Sequence, residues 1–304
     1  MNDICAGIVL YNPEIDRLQE NIEAILPQVD MVYLVDNASN NLEEIRFCFA
    51  KNESIRLIEN ATNRGIAAPL NQLCRAAEND GFDWIVTLDQ DSVAFEDMVQ
   101  AYRPYVEREN TAILCPLVVD DREETTIRSY ELPETESVSR CITSGSLTSL
   151  FIWRKVGGFD ERMFIDCVDF DYCTNVILHG YDVLRVNAAR LHHRLGHATE
   201  IHAFAHIGRL LHKDRLKQAV YTYNHSPLRT YYYARNSLYY SKKYKGKIDA
   251  KTERKVYVKW LVLKLLFEKQ RLAKLSAIIR GRSDGRRMFK EYQREQKART
   301  DRAS

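Results

Sequence analysis

The sequence predicts an α/β fold, a mostly parallel sheet flanked by helices, followed by a basic helical C-terminal region. Three observations lead there. Over the first 120 residues, short apolar runs alternate with amphipathic stretches of about ten residues, as when strands are joined by helices. Some of the apolar runs stop abruptly at aspartate, which places polar groups at the carboxyl ends of strands, where such sheets bind ligands. From Pro227 onward only helix signals occur, rich in tyrosine up to Tyr244.

The elements follow in order. Ile4 to Tyr11 reads as a strand, and after Pro13 the residues Ile15, Leu18, Ile22, Ile25 and Leu26 fall at helical spacing on one stripe. Met31 to Val35 is a strand ending in Asp36-Asn37-Ala38-Ser39-Asn40. A helix over Leu42 to Ala50, a strand over Ile55 to Ile58 and a helix over Ala67 to Ala77 come next. Trp84 to Leu88 reads as a buried strand, Phe95 to Val106 as a helix and Ala112 to Val119 as a strand. Asp120 to Glu136 is acidic and polar, an excursion of hairpin type over the surface. Cys141 to Ile152 is small and apolar, Gly157-Gly158-Phe159-Asp160 is a turn, Val168 to His179 is a helix ended by Gly180, and Tyr181 to Val186 is a short strand. The expected division is an α/β domain over residues 1–226 and a basic helical region over 227–304.

Composition narrows the function. With 304 residues, 45% apolar and 28% charged, the chain can bury a large core, which excludes a disordered chain and a disulfide-stapled miniprotein. Seven scattered cysteines without a CxxC pair argue against a zinc ribbon and for a reducing compartment. The N-terminus lacks the basic flank of a signal peptide, and no apolar run is long enough to span a bilayer. A cytoplasmic location is expected. The net charge of +2 conceals an asymmetry: from Lys242 onward 21 Lys and Arg face 7 Asp and Glu, whereas residues 1–241 carry 23 against 35. A basic tail with Trp260, Leu261, Leu265 and Leu266 suits peripheral contact with an anionic membrane, at the inner face of the plasma membrane. It suits equally a helix packed on the body or in a homodimer interface. Nucleic acid is disfavoured, because the body is acidic and shows no recognition motif.

Candidate chemistry gathers at aspartates. Asp36 closes one strand, Asp89-Gln90-Asp91 closes another, and Asp166, Asp169 and Asp171 surround the start of the helix near Val168. Two carboxylates at i and i+2 after a buried strand can turn toward one divalent ion, Mg²⁺ or Mn²⁺, and the phosphates it carries. The run Asp89 to Val93 also fits the motif of aspartyl-phosphate phosphatases, with Asp89 as nucleophile, although that motif belongs nearer a chain's start. A non-enzymatic protein acting through its basic tail is a second rival. A dinucleotide dehydrogenase is disfavoured, since no GxGxxG follows the first strand.

Seven segments in order resemble a family 2 glycosyltransferase of the GT-A fold, in its bacterial rhamnosyltransferase branch. They are VDNAS (Val35 to Ser39), NRGIAAPLNQ (Asn63 to Gln72), LDQDS (Leu88 to Ser92), SGSL (Ser144 to Leu147), GGFDERMFIDCVDFDYC (Gly157 to Cys173), HHRLGH (His192 to His197) and RTYYYARN (Arg229 to Asn236). The resemblance implies that Asp36 and Asn37 read the base of a nucleotide sugar and that Asn63, Arg64 and Gly65 form the loop beneath it. It implies that Asp89, Gln90 and Asp91 engage the ribose and a metal-bound diphosphate, with His193, of the HxxG turn completed by Gly196, finishing the metal site. Asp169 matches the second position of the family's Glu-Asp pair and is the expected catalytic base. The first position is Val168, a departure, with Asp166 upstream as the expected helper. Arg229, Tyr232, Arg235 and Asn236 lie at helical spacing on one side and are expected to hold the donor's diphosphate. The implied reaction is metal-dependent, inverting transfer of a sugar, L-rhamnose from dTDP-L-rhamnose, to a saccharide or lipid-linked glycan in cell-surface polysaccharide synthesis.

Overall fold

The computed structural model describes residues 3–120, 132–193, 199–200 and 221–303. The chain forms two compact units, one made of Met1–Phe164 with Val168–Arg194, the other of Ile165–Cys167 with Leu195–Ser304.

The first unit is built on a nine-stranded sheet. Strands β1 (Ile4–Leu10), β2 (Val32–Asp36), β3 (Ile55–Glu59) and β4 (Trp84–Asp89) lie in the order β3-β2-β1-β4, all parallel. Six of the seven residues of β1 are buried, and all of β2, because helices cover both faces of a parallel sheet and leave no side for polar alternation. The connecting helices are α1 (Ile15–Ile25), α2 (Leu42–Phe49) and α3 (Ala67–Asn79). Helix α1 buries Leu18, Ile22 and Ile25, the stripe that the 3.6-residue period sets.

The remaining strands make the sheet mixed. Beyond β5 (Val93–Ala94) and the short helix α4 (Met98–Tyr102) come β6 (Thr111–Asp120), β7 (Thr135–Ser137), β8 (Ser146–Ser149), α5 (Leu150–Val156), α6 (Val168–Leu178) and β9 (Asp182–His193). Strand β8 enters antiparallel between β4 and β6, and β9 runs parallel to β6 while pairing antiparallel with β5 and β7. Two readings change. The short strand expected at Tyr181 to Val186 continues to His193, since pairing with β6 and then β5 carries it on. The small apolar segment after Cys141 divides into β8 and α5, whose start is capped by the Ser149 hydroxyl accepting from the Ile152 N–H and whose end is Gly157 at φ 88°. Most of the acidic excursion falls outside the described residues.

The second unit holds a small ladder of β10 (Thr199–Glu200) with β11 (Tyr221–Thr222) and the helices α7 (Pro227–Lys243), α8 (Ala250–Phe267) and α9 (Arg271–Ala303). Ser226 and Asp249 cap α7 and α8, their side chains accepting from Arg229 and Thr252 N–H groups.

Candidate active site

Register places the first carboxylates together. Across β1, Asp36 stands opposite Leu10 on one side and Asp89 opposite Val9 on the other, so both occupy the carboxyl rim of the sheet, one strand apart. The Asp36 side chain is fully buried; its Oδ2 accepts from the Ser39 N–H at 3.0 Å, while Oδ1 has no hydrogen-bond partner among the described residues. A buried acceptor left without a donor is costly, and an incoming N–H group would satisfy it. Asn37 is fully engaged. Its amide donates to Asn63 Oδ1 at 3.0 Å and to the Gly65 carbonyl at 2.7 Å, and its Oδ1 accepts from the Arg64 N–H at 2.9 Å. It thereby ties the Asn63–Gly65 loop to the end of β2. Gly65 is required for a close approach: at φ 77°, a Cβ there would lie 2.2 Å from the Phe164 carbonyl oxygen. Arg64 points to Glu161, a 3.5 Å pair exposed on both sides.

Beyond β4, Gln90 locks the end of β1, accepting from the Tyr11 N–H at 2.8 Å and donating to the Tyr11 carbonyl at 3.3 Å. Helix α1 fixes the turn: Asn21 donates to the Asp89 carbonyl and Arg17 to the Asp91 carbonyl, each at 2.8 Å. Strand β5 then pairs Val93 with His192, which brings the next residue, His193, back to the acidic turn. Ligand atoms of Asp89, Asp91 and His193 all lie within 4.8 Å of one another, and no other group of this kind occurs among the described residues. Two carboxylates and an imidazole suit a divalent cation such as Mn²⁺, whose oxygen and nitrogen preferences this donor set matches. His192 faces differently, stacked on Phe95 with ring centroids 4.2 Å apart. That separates the adjacent histidines, which the sequence alone could not. Gly196 and His197 lie outside the described residues.

Two serines behind this cluster were missed as functional candidates. The Asp89 N–H donates to Ser144 Oγ at 3.0 Å, Ser144 Oγ donates to Ser92 Oγ at 2.8 Å, and Ser92 Oγ bonds His193 Nδ1 at 2.8 Å. Both hydroxyls are fully buried. This chain of bonds orients the imidazole, whose Nδ1 also lies 4.0 Å from Asp89 Oδ2. Both serines sit in motifs that the sequence displays, LDQDS and SGSL, but their partnership is set by strand pairing.

Asp169 begins α6 and lines a small cavity with Cys141, Ile142, Thr143, Ser146 and Tyr172. Its Oδ1 accepts from the Phe170 N–H at 2.9 Å. The segment Cys141–Ser146 thus borders both places, since Thr143 and Ser146 face the cavity of Asp169 while Ser144 holds the backbone of Asp89. Asp171, of the same turn, is buried.

The other expected residues assemble within the second unit. Asp166 adopts φ 65°, rare for a residue with a side chain, and Cys167 does the same. Burial raises the Asp166 carboxyl above its ordinary range, and Arg229 opposes that shift through bonds of 3.3 and 3.4 Å to Oδ1. Asn236 holds the same turn, donating to the carbonyls of Ile165 at 2.7 Å and Asp166 at 3.2 Å. Arg235 donates to Asn236 Oδ1 at 2.9 Å and lies over the Tyr232 ring, 4.7 Å from its centre.

Comparison with known proteins gives the class. The model of glycosyl transferase family 2 matches residues 5–168, more than half the chain. The chain belongs to that family. Its activity class is therefore glycosyl transfer. A curated family relative, the dTDP-rhamnosyl transferase RfbF of Shigella flexneri, is 28% identical over 252 residues, covering 78% of this chain and 79% of its own. Among solved structures, residues 1–349 of S. aureus TarS with UDP-GlcNAc align at TM-score 0.58 and 12% identity, covering 93% of this chain and 80% of that one. The mannosyltransferase PcManGT from Pyrobaculum calidifontis, with GDP-Man and Mn²⁺, aligns at 0.57 and 14%, covering 92% and 73%. The fold is that of the GT-A transferases, a mixed sheet with flanking helices and C-terminal helices.

Proposed function

We propose that this glycosyltransferase moves L-rhamnose from dTDP-L-rhamnose to a hydroxyl of a saccharide or lipid-linked glycan, with inversion and with a divalent cation. The observation that carries this reading is the convergence of Asp89, Asp91 and His193 at the strand rim that also bears Asp36. The named activity of the Shigella relative supports the donor.

In this mechanism Asp36 Oδ1 accepts the imide N–H of the thymine base, which supplies its missing partner. Asn37 keeps the Asn63–Gly65 loop in place beside the base. Asp89 and Asp91 with His193 would hold the cation, which when bound would stabilise the charge on the departing diphosphate. Asp169 accepts the proton of the acceptor hydroxyl as its oxygen bonds the anomeric carbon. The bond from that carbon to the diphosphate breaks, its electron pair leaving with dTDP. A single displacement of this kind inverts the anomeric centre.

Calorimetric titration with dTDP-rhamnose, UDP-GlcNAc and GDP-mannose, each with Mn²⁺ and with EDTA, tests the reading. We expect binding of the thymidine donor alone, abolished by chelation. Tighter binding of another donor overturns the donor assignment, and undiminished binding in EDTA overturns the role of the cation.

A further inference from the structure

Large apolar side chains cluster on the surface of α8 and the start of α9. On α8, Val258, Val262 and Leu266 recur every fourth residue and are exposed, Leu266 by 54%. At 100° per residue they form one stripe, and the exposed Arg254, Lys255 and Lys259 project from the same side of the helix. On α9, Leu272, Leu275 and Ile279 share a face, with Leu272 exposed by 84% and Ile279 by 63%. Further along that same face the exposed residues become Ser283, Arg286 and Lys290. Helices α8 and α9 pack against one another, with Leu261 of α8 and Ile278 of α9 buried in one apolar cluster with Ala234 of α7. Each of these two adjoining helices thus presents an exposed aliphatic stripe bordered by cations.

We propose that this surface of α8 and α9 docks on an anionic lipid bilayer, the aliphatic side chains entering the headgroup boundary and the cations meeting lipid phosphates. Charge selects this occupant. A second copy bound through the same face would set Arg254, Lys255, Lys259, Arg286 and Lys290 against their own equivalents, a like-charge interface. A single-stranded nucleic acid would want rings on which bases stack, and the stripe offers Val, Leu and Ile. No helix among the described residues is long and apolar enough to cross a membrane, so the contact is one of lying on the surface. The assignment does not depend on the donor or on the catalytic residues.

Flotation of the full chain with vesicles of phosphatidylglycerol and phosphatidylcholine, against phosphatidylcholine alone, tests it. The protein is expected to float with the anionic vesicles, to release them in high salt and to ignore the zwitterionic ones. Joint Lys255→Ala and Lys259→Ala substitution should lower partitioning ~25-fold, about fivefold per cation. Joint Leu272→Ser and Ile279→Ser substitution should lower it by about tenfold or more. All four positions are exposed, so melting temperature and donor binding stay unchanged, which separates failure here from failure of the transferase reading. Absence of flotation, equal flotation with neutral lipid, or flotation indifferent to these substitutions overturns the proposal. A concentration-dependent dimer abolished by Leu272→Ser and Ile279→Ser overturns it in favour of a second copy.

Discussion

Asp169 and Asp91 bear opposite burdens in the proposed reaction, and single substitutions separate them. Asp169→Asn keeps size and polarity but removes the proton acceptor, so kcat should fall about a hundredfold to ten-thousandfold while donor affinity holds. Asp91→Ala removes one member of the acidic cluster and should weaken Mn²⁺-dependent donor binding instead. Calorimetry alongside single-turnover assays reads both, and the reverse pattern would show the roles to be exchanged. Ser92 adds a sharper test, because its hydroxyl touches His193 Nδ1 and the residue is fully buried. Ser92→Ala should lower Mn²⁺ affinity about 10- to 100-fold, measured by electron paramagnetic resonance on protein without donor, since the imidazole then loses the bond that sets its orientation. Ser144→Ala, one bond further away, should cost less. An unchanged Mn²⁺ affinity in Ser92→Ala would mean that packing alone fixes the ring.

At the scale of elements, the sequence disclosed whatever was local. Strands β1 to β4 and helices α1 to α3 announce themselves by period and by terminal aspartates, so Asp36 and Asp89 could be placed at strand ends before any coordinates. The family resemblance set His193 beside Asp89 and Asp91, but its bond to Ser92 was not foreseen, because it depends on β5 pairing with β9 across about a hundred residues, and no period encodes a register. Helix α5 was hidden because seven residues are too few to display a stripe. The packing of α9 on α7 was equally silent. It relies on Gly281 and Gly285, where a Cβ would lie 2.5 Å from the carbonyl oxygens of Tyr231 and Arg235 respectively. Alanine at 285 would gain about 1 kcal/mol of helix propensity. The contact with a backbone oxygen, which cannot rotate away, costs about 1–3 kcal/mol. The clash should prevail. Gly285→Ala is therefore expected to lower stability in denaturant unfolding, whereas Ser283→Ala, exposed on the same helix, should be neutral or stabilising. Equal stability of the two variants would show that α9 shifts without cost.

For the whole molecule, acid is the condition that reaches the fold through a buried charge cluster rather than through the active site. Where α8 turns into α9, Lys274 Nζ lies 2.7 Å from Glu268 Oε2, both almost fully buried, and Thr222 Oγ1 donates to Glu268 Oε1 at 2.5 Å. Lys264 Nζ lies 2.6 Å from His225 Nδ1. An ammonium can only donate, so that nitrogen accepts and the ring is neutral. Burial first, then the charges of Lys264 and Arg229, pull the His225 imidazole down from 6.5 to about 3. The unfolded chain, by contrast, takes up a proton at this histidine near its ordinary value of about 6.5. Between those two values the unfolded state binds a proton that the folded state refuses, so stability declines as the pH falls through that window and is independent of this group above it. Melting temperatures from pH 8 to about 4 should therefore drop more steeply for the parent protein than for His225→Asn, whose amide oxygen can still accept from Lys264 but does not titrate. Identical slopes in the two proteins would place the acid sensitivity elsewhere, in the carboxylates whose ion pairs protonation breaks.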